Sequence, residues 1–276
     1  MSSADLGAKL RALHKPGEPF VLANAWDLGS AQLLAALGAE AIGTSSAAHA
    51  FTLGLPDGGH LTRDQAMDHA VALQEATGLP VSGDFENGFG HSPADCAETV
   101  AIAAARGLAG CSIEDTAFPD HTPYPFEAAV ERIAAAAETA RAAPQDFVLV
   151  ARADGMMIGT YDLDEAIRRL QAFEAAGADC VYAPLPPDMD GVRQICAAVS
   201  VPVNILAAGP FTQVPLAEFA AAGAARVSLG SSLARHAHRA VIDAARALLN
   251  QGDFTALSRS IPGGDVDDLL TAGRLR

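Results

Sequence analysis

The chain alternates between short apolar runs and longer, alanine-rich segments with helical spacing of apolar residues. The runs are rich in β-branched residues and predict eight strands, at residues 20–26, 41–47, 80–86, 110–116, 147–154, 179–185, 202–207 and 226–231. The segments between them predict helices at residues 29–37, 63–77, 93–106, 126–141, 163–176, 191–199 and 216–222. Strict alternation of strands and helices is typical of a parallel sheet.

Local start and stop signals support these helices. Ser92 and Pro93, followed by Asp95, predict an N-cap, a proline at the first helical position and an acidic first turn. Glycines at positions 38, 78, 107, 177 and 223 stand where a helix should end in a left-handed residue.

Eight strands that alternate with helices predict a (β/α)8 TIM barrel, and the length of 276 residues agrees with that fold. An open, doubly wound sheet is the alternative, but the chain lacks a GxGxxG pattern after the first strand and any GxxxxGK[ST] pattern. We therefore predict one barrel domain over residues 1–276 with an N-terminal helix. Three helices are expected after Ser231, the last of which, residues 266–275, is expected to pack on a neighbouring subunit.

Charge and hydropathy narrow the classes of partner. The 18 Lys and Arg residues against 33 Asp and Glu give a formal net charge of −15, which argues against nucleic acid as a partner. Every apolar stretch is shorter than the ~18 residues of a membrane span, and no signal-peptide pattern is present. We expect a cytoplasmic protein that does not contact a membrane.

Two scarce residue types exclude further chemistry. The four cysteines, at positions 96, 111, 180 and 196, lack CxxC or Cys/His ligand spacing, which predicts buried free thiols and neither disulfides nor a zinc site. Lysine occurs only at positions 9 and 15, before the first strand. Because a Schiff-base mechanism needs a lysine inside the active site, that chemistry is disfavoured.

Candidate chemistry lies where the strands end, because barrel enzymes build their sites there. Side chains two residues apart share a strand face, so Asp84, Glu86 and Glu114 are expected to point inward from the third and fourth strands. Three adjacent carboxylates repel one another unless protons or a cation intervene, and oxygen ligands favour Mg²⁺ or Mn²⁺. The alternative for a strand-end acid is to cap the following helix, a role assigned to Asp115.

Arg152 ends the fifth strand and is expected to point inward. Its planar guanidinium suits a substrate carboxylate. The alternative is a salt bridge to Glu114 or Asp154, and Arg152 can serve both roles at once. Two turns offer backbone N–H groups to an anion, at residues 44–46 and 230–232. The second turn either binds phosphate at a helix N-terminus or only caps that helix.

These motifs together resemble the isocitrate lyase/phosphoenolpyruvate mutase superfamily, in order and over nearly the whole chain. The matching segments are Asn24-Ala25-Trp26-Asp27 with Gly29-Ser30-Ala31, Thr44-Ser45-Ser46-Ala47, Leu55-Pro56-Asp57-Gly58, Asp84-Phe85-Glu86-Asn87-Gly88, Ser112-Ile113-Glu114-Asp115, Ala151-Arg152-Ala153-Asp154, Pro202-Val203-Asn204 and Arg226-Val227-Ser228-Leu229-Gly230. Each segment is modest alone, and their ordered combination is specific.

The resemblance implies a (β/α)8 barrel whose last helix is exchanged between the subunits of a homodimer or homotetramer. It implies that Mg²⁺, or alternatively Mn²⁺, binds near Asp84, and that Asp57, Glu86 and Glu114 reach the ion largely through water.

The resemblance also implies a binding site for a small anionic 2-oxo acid or phosphonate. The shared chemistry is an enolate-like species whose oxygens chelate the metal, followed by C–C cleavage or by P–C or P–O transfer. The substrate-binding residues would be Ser45, Ser46, Ala47, Arg152 and Asn204.

The chain departs from the superfamily's lyases in the loop after the fourth strand. Isocitrate and methylisocitrate lyases carry a Lys-Cys-Gly-His-type motif there, whose cysteine is the acid/base, whereas residues 116–124 contain neither cysteine nor lysine. The chain thus resembles a phosphonomutase-like branch without the gating-loop cysteine. The remaining proton donors near the rim are His121, Tyr124 and His49. Of these, His121 is predicted to be catalytic together with Arg152 and Glu114.

We expect a Mg²⁺-dependent lyase or phosphonomutase-type enzyme that acts on a small 2-oxo acid through an enolate. Oxaloacetate decarboxylation, hydrolysis or mutation of a small phosphonate or acyl compound, and cleavage of an alkylmalate need little general-acid help. Two other classes stay open. One is a catalytically silent metabolite-binding relative, and the other is a phosphate-substrate aldolase or isomerase that uses residues 230–232.

Overall fold

The computed structural model describes residues 3–275. Within them, eight parallel strands form a closed barrel, which confirms the predicted fold class, and the last strand pairs with the first. The strands are β1 (Phe20–Asn24), β2 (Ile42–Gly43), β3 (Val81–Asp84), β4 (Gly110–Glu114), β5 (Val148–Arg152), β6 (Cys180–Tyr182), β7 (Val203–Leu206) and β8 (Arg226–Ser228). The assignment of residues 1–276 to one domain stays a prediction.

Helices follow the strands as the periodicity predicts, with two additional short helices, α3 and α7. The helices are α1 (Ser3–Leu13), α2 (Leu28–Ala36), α3 (Ser46–Thr52), α4 (Arg63–Thr77), α5 (Pro93–Ala105), α6 (Phe126–Ala142), α7 (Gly155–Ile158), α8 (Leu163–Ala176), α9 (Met189–Ala198), α10 (Leu216–Ala221), α11 (Ser232–Gln251) and α12 (Gly263–Ala272). Helix α1 packs Leu10 against inward-facing side chains of the barrel, among them Phe20 and Val148.

The predicted helix signals are confirmed. Ser92 and Asp95 form a reciprocal capping box at the start of α5, and Pro93 is its first residue. The predicted stop glycines all have positive φ, including 67° at Gly78 and 103° at Gly177.

The strands end earlier than predicted where the next helix begins early. The second strand was expected to reach residue 47, but β2 ends at Gly43 because the Ser45 hydroxyl caps α3 by accepting from the Ala48 N–H at 3.3 Å. A strand predicted from a run of apolar residues does not reveal a helix N-cap that lies within the same run.

Asp115 does not cap a helix, so that prediction is wrong. Its Oδ1 accepts from the Asp154 N–H at 2.8 Å, and its Oδ2 accepts from the Tyr161 hydroxyl at 2.8 Å and from Arg169 at 3.0 Å. The buried carboxylate thereby ties β4 to the segment after β5 and to α8.

The segment after β8 contains α11, a 3₁₀ turn at Thr255–Arg259 and α12. Helix α12 packs on α2 of the same chain, and the Leu275 N–H just beyond it donates to the Ala76 carbonyl oxygen at 3.0 Å. Exchange of this helix between subunits stays a prediction.

Two composition-based expectations can be compared with the structure. Cys96, Cys111 and Cys180 are buried free thiols, and the free thiol of Cys196 is partly buried. Among the described helices, none is long and apolar enough to cross a bilayer.

Candidate active site

A cavity of about 410 Å³ lies at the C-terminal ends of the strands. The structure brings most of the predicted site residues to its wall: Ser45, Ser46, Ala47, Asp57, Asp84, Glu114, His121 and Arg152. Glu86 and Asn204, which were also predicted, are not part of this wall.

Arg152 points into the cavity and contacts three carboxylates. Its Nη1 donates to Asp84 at 2.9 Å, and its Nη2 lies 2.7 Å from Asp154 and 3.2 Å from Glu114. Both salt bridges considered for Arg152, to Glu114 and to Asp154, therefore form. The guanidinium also lies over the Tyr182 ring, 5.1 Å from its centroid.

Carboxylates outnumber the cations that pair with them here. The acids around Arg152 are Asp57, Asp84, Glu86, Glu114 and Asp154. Burial raises the pKa of Glu86 to about 7, and burial followed by repulsion from Asp154 raises the pKa of Glu114 well above its usual range. Burial and then Asp84 raise the pKa of Asp57. Desolvation and like charges both disfavour ionisation, so the cluster must keep protons or bind a cation.

Asp84 is held by the start of α3. Its Oδ2 accepts from the Ser46 N–H at 2.8 Å and from the Ser46 hydroxyl at 3.0 Å, and its own N–H donates to Thr44 Oγ1 at 2.7 Å. Ser46 was predicted to contact a substrate carboxylate, yet in this structure both of its donors bind Asp84. A substrate at this turn would therefore share these donors with Asp84.

Glu86 faces an adjoining cavity of about 340 Å³ and not the main one. The prediction that it shares a strand face with Asp84 is wrong, because β3 ends at Asp84 and Glu86 has a left-handed φ of 45°. Its Oε1 accepts from the Gly59 N–H at 3.2 Å. The carboxylate is still close enough for Asp84 and Asp57 to contribute to its raised pKa.

Asn204 is fully buried inside the barrel. Its Nδ2 donates to the Ser228 hydroxyl at 2.9 Å, and its Oδ1 accepts from Arg226 Nε at 2.8 Å. Both polar ends of the amide are therefore used within the barrel, and a contact between Asn204 and substrate stays a prediction.

The loop after β4 forms a small hairpin that brings His121 to the cavity. Thr116–Ala117 pairs with Thr122–Pro123, and the His121 ring packs edge-on against Phe118 with centroids 5.1 Å apart. A Cβ on Gly58 would collide with the imidazole, so this close approach requires glycine there.

The other two predicted proton donors lie away from the main cavity. The Tyr124 hydroxyl accepts from Asn87 Nδ2 at 3.0 Å and lies 2.8 Å from His91 Nδ1. His49 is buried and stacks on His69, with ring centroids 3.8 Å apart. His121 is thus the member of the predicted set that reaches the site.

The turn before α11 lines the cavity, but its first amides are already bonded. The Leu229 and Gly230 N–H groups donate to Asn24 Oδ1 at 2.8 Å and 3.0 Å. The alternative of a phosphate site at residues 230–232 therefore loses one of its donors, the Gly230 N–H, and the adjoining Leu229 N–H is bonded as well.

Tyr182 and Arg226 are among the residues of the cavity wall that sequence reasoning missed. Arg226 shares its strand face with Ser228, as Tyr182 does with Cys180, so the spacing rule that identified Asp84 applies to both. Both residues lie in predicted strands, but no role was assigned to either side chain.

Comparison with known proteins agrees with this fold. The model of the phosphoenolpyruvate phosphomutase family matches residues 10–249. The chain therefore belongs to this family, within the isocitrate lyase/phosphoenolpyruvate mutase superfamily that its motifs resemble.

Three relatives illustrate the likeness. A solved structure from Burkholderia cenocepacia J2315, provisionally assigned as a lyase/mutase, is 44% identical, covers 96% of this chain and 95% of its own, and superposes with a TM-score of 0.92. The 2,3-dimethylmalate lyase of Eubacterium barkeri is 29% identical over 98% of this chain and 95% of its own. A phosphonopyruvate hydrolase solved with oxalate and Mg²⁺ is 25% identical, covers 98% of this chain and 95% of its own, and has a TM-score of 0.83.

The relatives of this chain are enzymes, among them lyases and phosphonomutases, and the prediction of an enzyme of this superfamily is confirmed. The substrates and ligands in the names of these relatives are properties of the relatives themselves.

The stacked histidines predict a pH dependence of stability. Burial and the neighbouring His49 lower the pKa of His69 from 6.5 to about 4. Between these values the unfolded chain binds a proton that the folded chain does not, so stability should fall as pH drops from 6.5 towards 4, by up to about 3 kcal/mol for this residue. Urea unfolding across this range should show a shallower loss in His69→Phe than in the wild type.

The exposed His60 provides the matched control, since His60→Phe should leave the wild-type slope unchanged. Equal slopes in the wild type and in His69→Phe would contradict the prediction.

Proposed function

We propose that the chain is a Mg²⁺-dependent lyase or phosphonomutase-type enzyme that acts on a small 2-oxo acid through an enolate and breaks or forms a C–C or P–C bond. The observation that carries the proposal is the excess of buried carboxylates around Arg152. The family relationship and the phosphonopyruvate hydrolase solved with oxalate and Mg²⁺ support the same class of reaction.

The donor chemistry of the cluster fits Mg²⁺. Within residues 3–275, no three His, Cys, Asp or Glu side chains converge closely enough to bind a metal directly, which suits an ion that keeps several waters and takes one or two carboxylates. Asp84 would hold the ion, with Asp57, Glu86 and Glu114 acting through water, and Mn²⁺ is the alternative. When bound, the ion supplies positive charge that stabilises an enolate oxygen.

Arg152 binds and orients the carboxylate of the 2-oxo acid in this proposal. Its guanidinium is bonded to Asp84, Glu114 and Asp154, so a substrate carboxylate would replace one of these partners in the same planar fork. The turn at residues 45–47 completes the binding site beside Asp84, and Asn204 acts from within the barrel.

His121 and Glu114 transfer protons in this proposal. His121 is exposed at the cavity mouth, where the hairpin places it beside Gly58. Glu114 is buried and its raised pKa favours the protonated form, so it can donate a proton to a substrate oxygen. The exposed Lys9 and Lys15 precede β1, which leaves imine chemistry without a lysine in the site.

Substitution of Asp84 should abolish the function through the metal. We expect Asp84→Asn to lose Mg²⁺-dependent binding of oxalate, an enolate mimic, together with Mg²⁺-dependent turnover. Calorimetry with oxalate and product assays with oxaloacetate, alkylmalates and phosphonopyruvate measure the two losses.

His121→Gln is the comparison in the same assays. It should keep oxalate binding and lose about 100-fold or more in kcat, because it removes only a proton donor. Metal-dependent turnover retained by Asp84→Asn would overturn the proposal. Oxalate binding without turnover on any of these compounds would favour the catalytically silent relative.

We also propose a homodimer or homotetramer. Helix α11 leaves Val241 65% exposed and Leu249 79% exposed, and Phe254 just beyond it is 64% exposed. Such apolar side chains are typical of surfaces that pack on another subunit. Sedimentation velocity should show two or four copies, and a monomer at micromolar concentration would contradict this assembly.

A further inference from the structure

The main cavity has a charged side and an apolar side. The carboxylates and Arg152 described above lie on the charged side. The other side is an apolar wall formed by five side chains: Met157, Ile158, Leu185, Leu206 and Ala208. Among the described residues that line the cavity, those between Asp154 and Arg226 in the sequence carry no charge. The excess of acids is therefore confined to one side of the cavity.

The closed barrel places the apolar wall opposite Asp84 and the turn at residues 45–47. The wall is contributed by α7 after β5, by Leu185 after β6, and by the end of β7. In the order of the eight strands, β6 lies across the barrel from β2, and β7 lies across from β3. The turn at residues 45–47 follows β2, and Asp84 ends β3. A small acid whose carboxylate is bound near Asp84 therefore points its other end towards the apolar wall.

Leu185 lies at the centre of the apolar wall and adopts a backbone conformation that leucine rarely takes. Its φ is 53°, in the left-handed region that disfavours a bulky side chain. Its side chain packs against hydrophobic residues inside the barrel and against those between strands and helices. A Cβ added to Gly209 would lie 3.8 Å from Leu185 Cδ2, so the leucine also reaches the loop after β7. Residues held in such strained conformations cluster at active sites and around ligands.

Part of the apolar wall is uncovered. Met157 is 41% exposed, and Ile158 and Leu185 are half-buried, whereas Leu206 is buried. Adjoining apolar side chains that face a cavity are typical of a ligand-binding surface. An alkyl group bound against them would release the water that covers them, whereas a charged group would lose its own water there without gaining a partner.

We propose that the apolar wall binds an alkyl substituent of the substrate and that Leu185 is the main determinant of this specificity. The preferred substrates are then 2-oxo acids that carry an alkyl group beyond the 2-oxo carbon. This inference rests on the proposed function, because it takes Mg²⁺, Arg152 and the turn at residues 45–47 as the site of the 2-oxo acid end.

The test compares ligands that differ only in the length of an alkyl chain. Pyruvate, 2-oxobutanoate and 2-oxopentanoate share the 2-oxo acid end, and each adds one methylene to the one before. Their affinities are measured by calorimetry, as displacement of oxalate from the Mg²⁺-loaded protein. We expect each methylene to tighten binding about 4-fold, so that 2-oxopentanoate binds about 15-fold more tightly than pyruvate.

Leu185→Asn should lose most of this gain and keep the affinities for oxalate and pyruvate. Asparagine tolerates the left-handed conformation, so the substitution changes the polarity of the wall without adding backbone strain. Leu185→Gly also tolerates this φ and removes the apolar side chain. It should lose the gain as well, and it replaces the Asn variant if circular dichroism shows that Leu185→Asn does not fold.

Leu216 provides the matched control, because it is a 42% exposed leucine at the start of α10 that does not line the cavity. Leu216→Asn should keep the full gain per methylene. The inference is overturned if the three ligands show no dependence on chain length in the wild type, including failure of all three to displace oxalate. It is also overturned if both Leu185 variants keep the gain, if Leu216→Asn loses it, or if Leu185→Asn weakens oxalate as much as 2-oxopentanoate. Failure of oxalate itself to bind the wild type with Mg²⁺ would instead contradict the proposed function.

Discussion

The contact between Arg152 and three carboxylates is the constraint on which the rest of the site depends. One guanidinium balances at most part of the charge of Asp84, Glu114 and Asp154, and two further acids lie close to them. Burying such an excess of one charge is unfavourable, and replacing a buried ionic cluster by apolar side chains is often neutral or stabilising. This cost supports the proposal that the cluster binds a cation.

The fold positions this cluster through the ends of strands and the starts of helices. Helix α3 begins at Ser46, and that start supplies two of the donors to Asp84, beside the one from Arg152. The hairpin after β4 brings His121 to the cavity mouth, and the glycine at position 58 leaves room for it. Local chain geometry at these points, and not the barrel alone, determines the shape of the cavity.

The barrel and the inward residues could be predicted because both follow from spacing. Asp84, Glu114 and Arg152 lie in regular strand, where side chains two residues apart share a face. Glu86 was misplaced because the chain leaves extended geometry after Asp84, and the left-handed φ of a non-glycine residue has no clear sequence signal.

Other parts of the site depend on side-chain hydrogen bonds between strands that are far apart in sequence, and a local sequence pattern does not predict such bonds. Asn204 turns its amide to Ser228 and Arg226, so its role is determined by strands that follow it in the sequence. Arg226 lies in a segment that carries the resemblance, but no role was assigned to its side chain because its hydrogen-bond partner Asn204 comes from a neighbouring strand.

The central claim is that the buried carboxylates need a cation, and proton release on metal binding tests it most directly. Mg²⁺ is titrated into metal-free protein at about pH 6 by calorimetry, in two buffers of different ionisation enthalpy. Because burial raises the pKa of Glu86 to about 7, and that of Glu114 well above its usual range, the account predicts binding with release of protons. Absence of binding, or binding with no proton release, would contradict it.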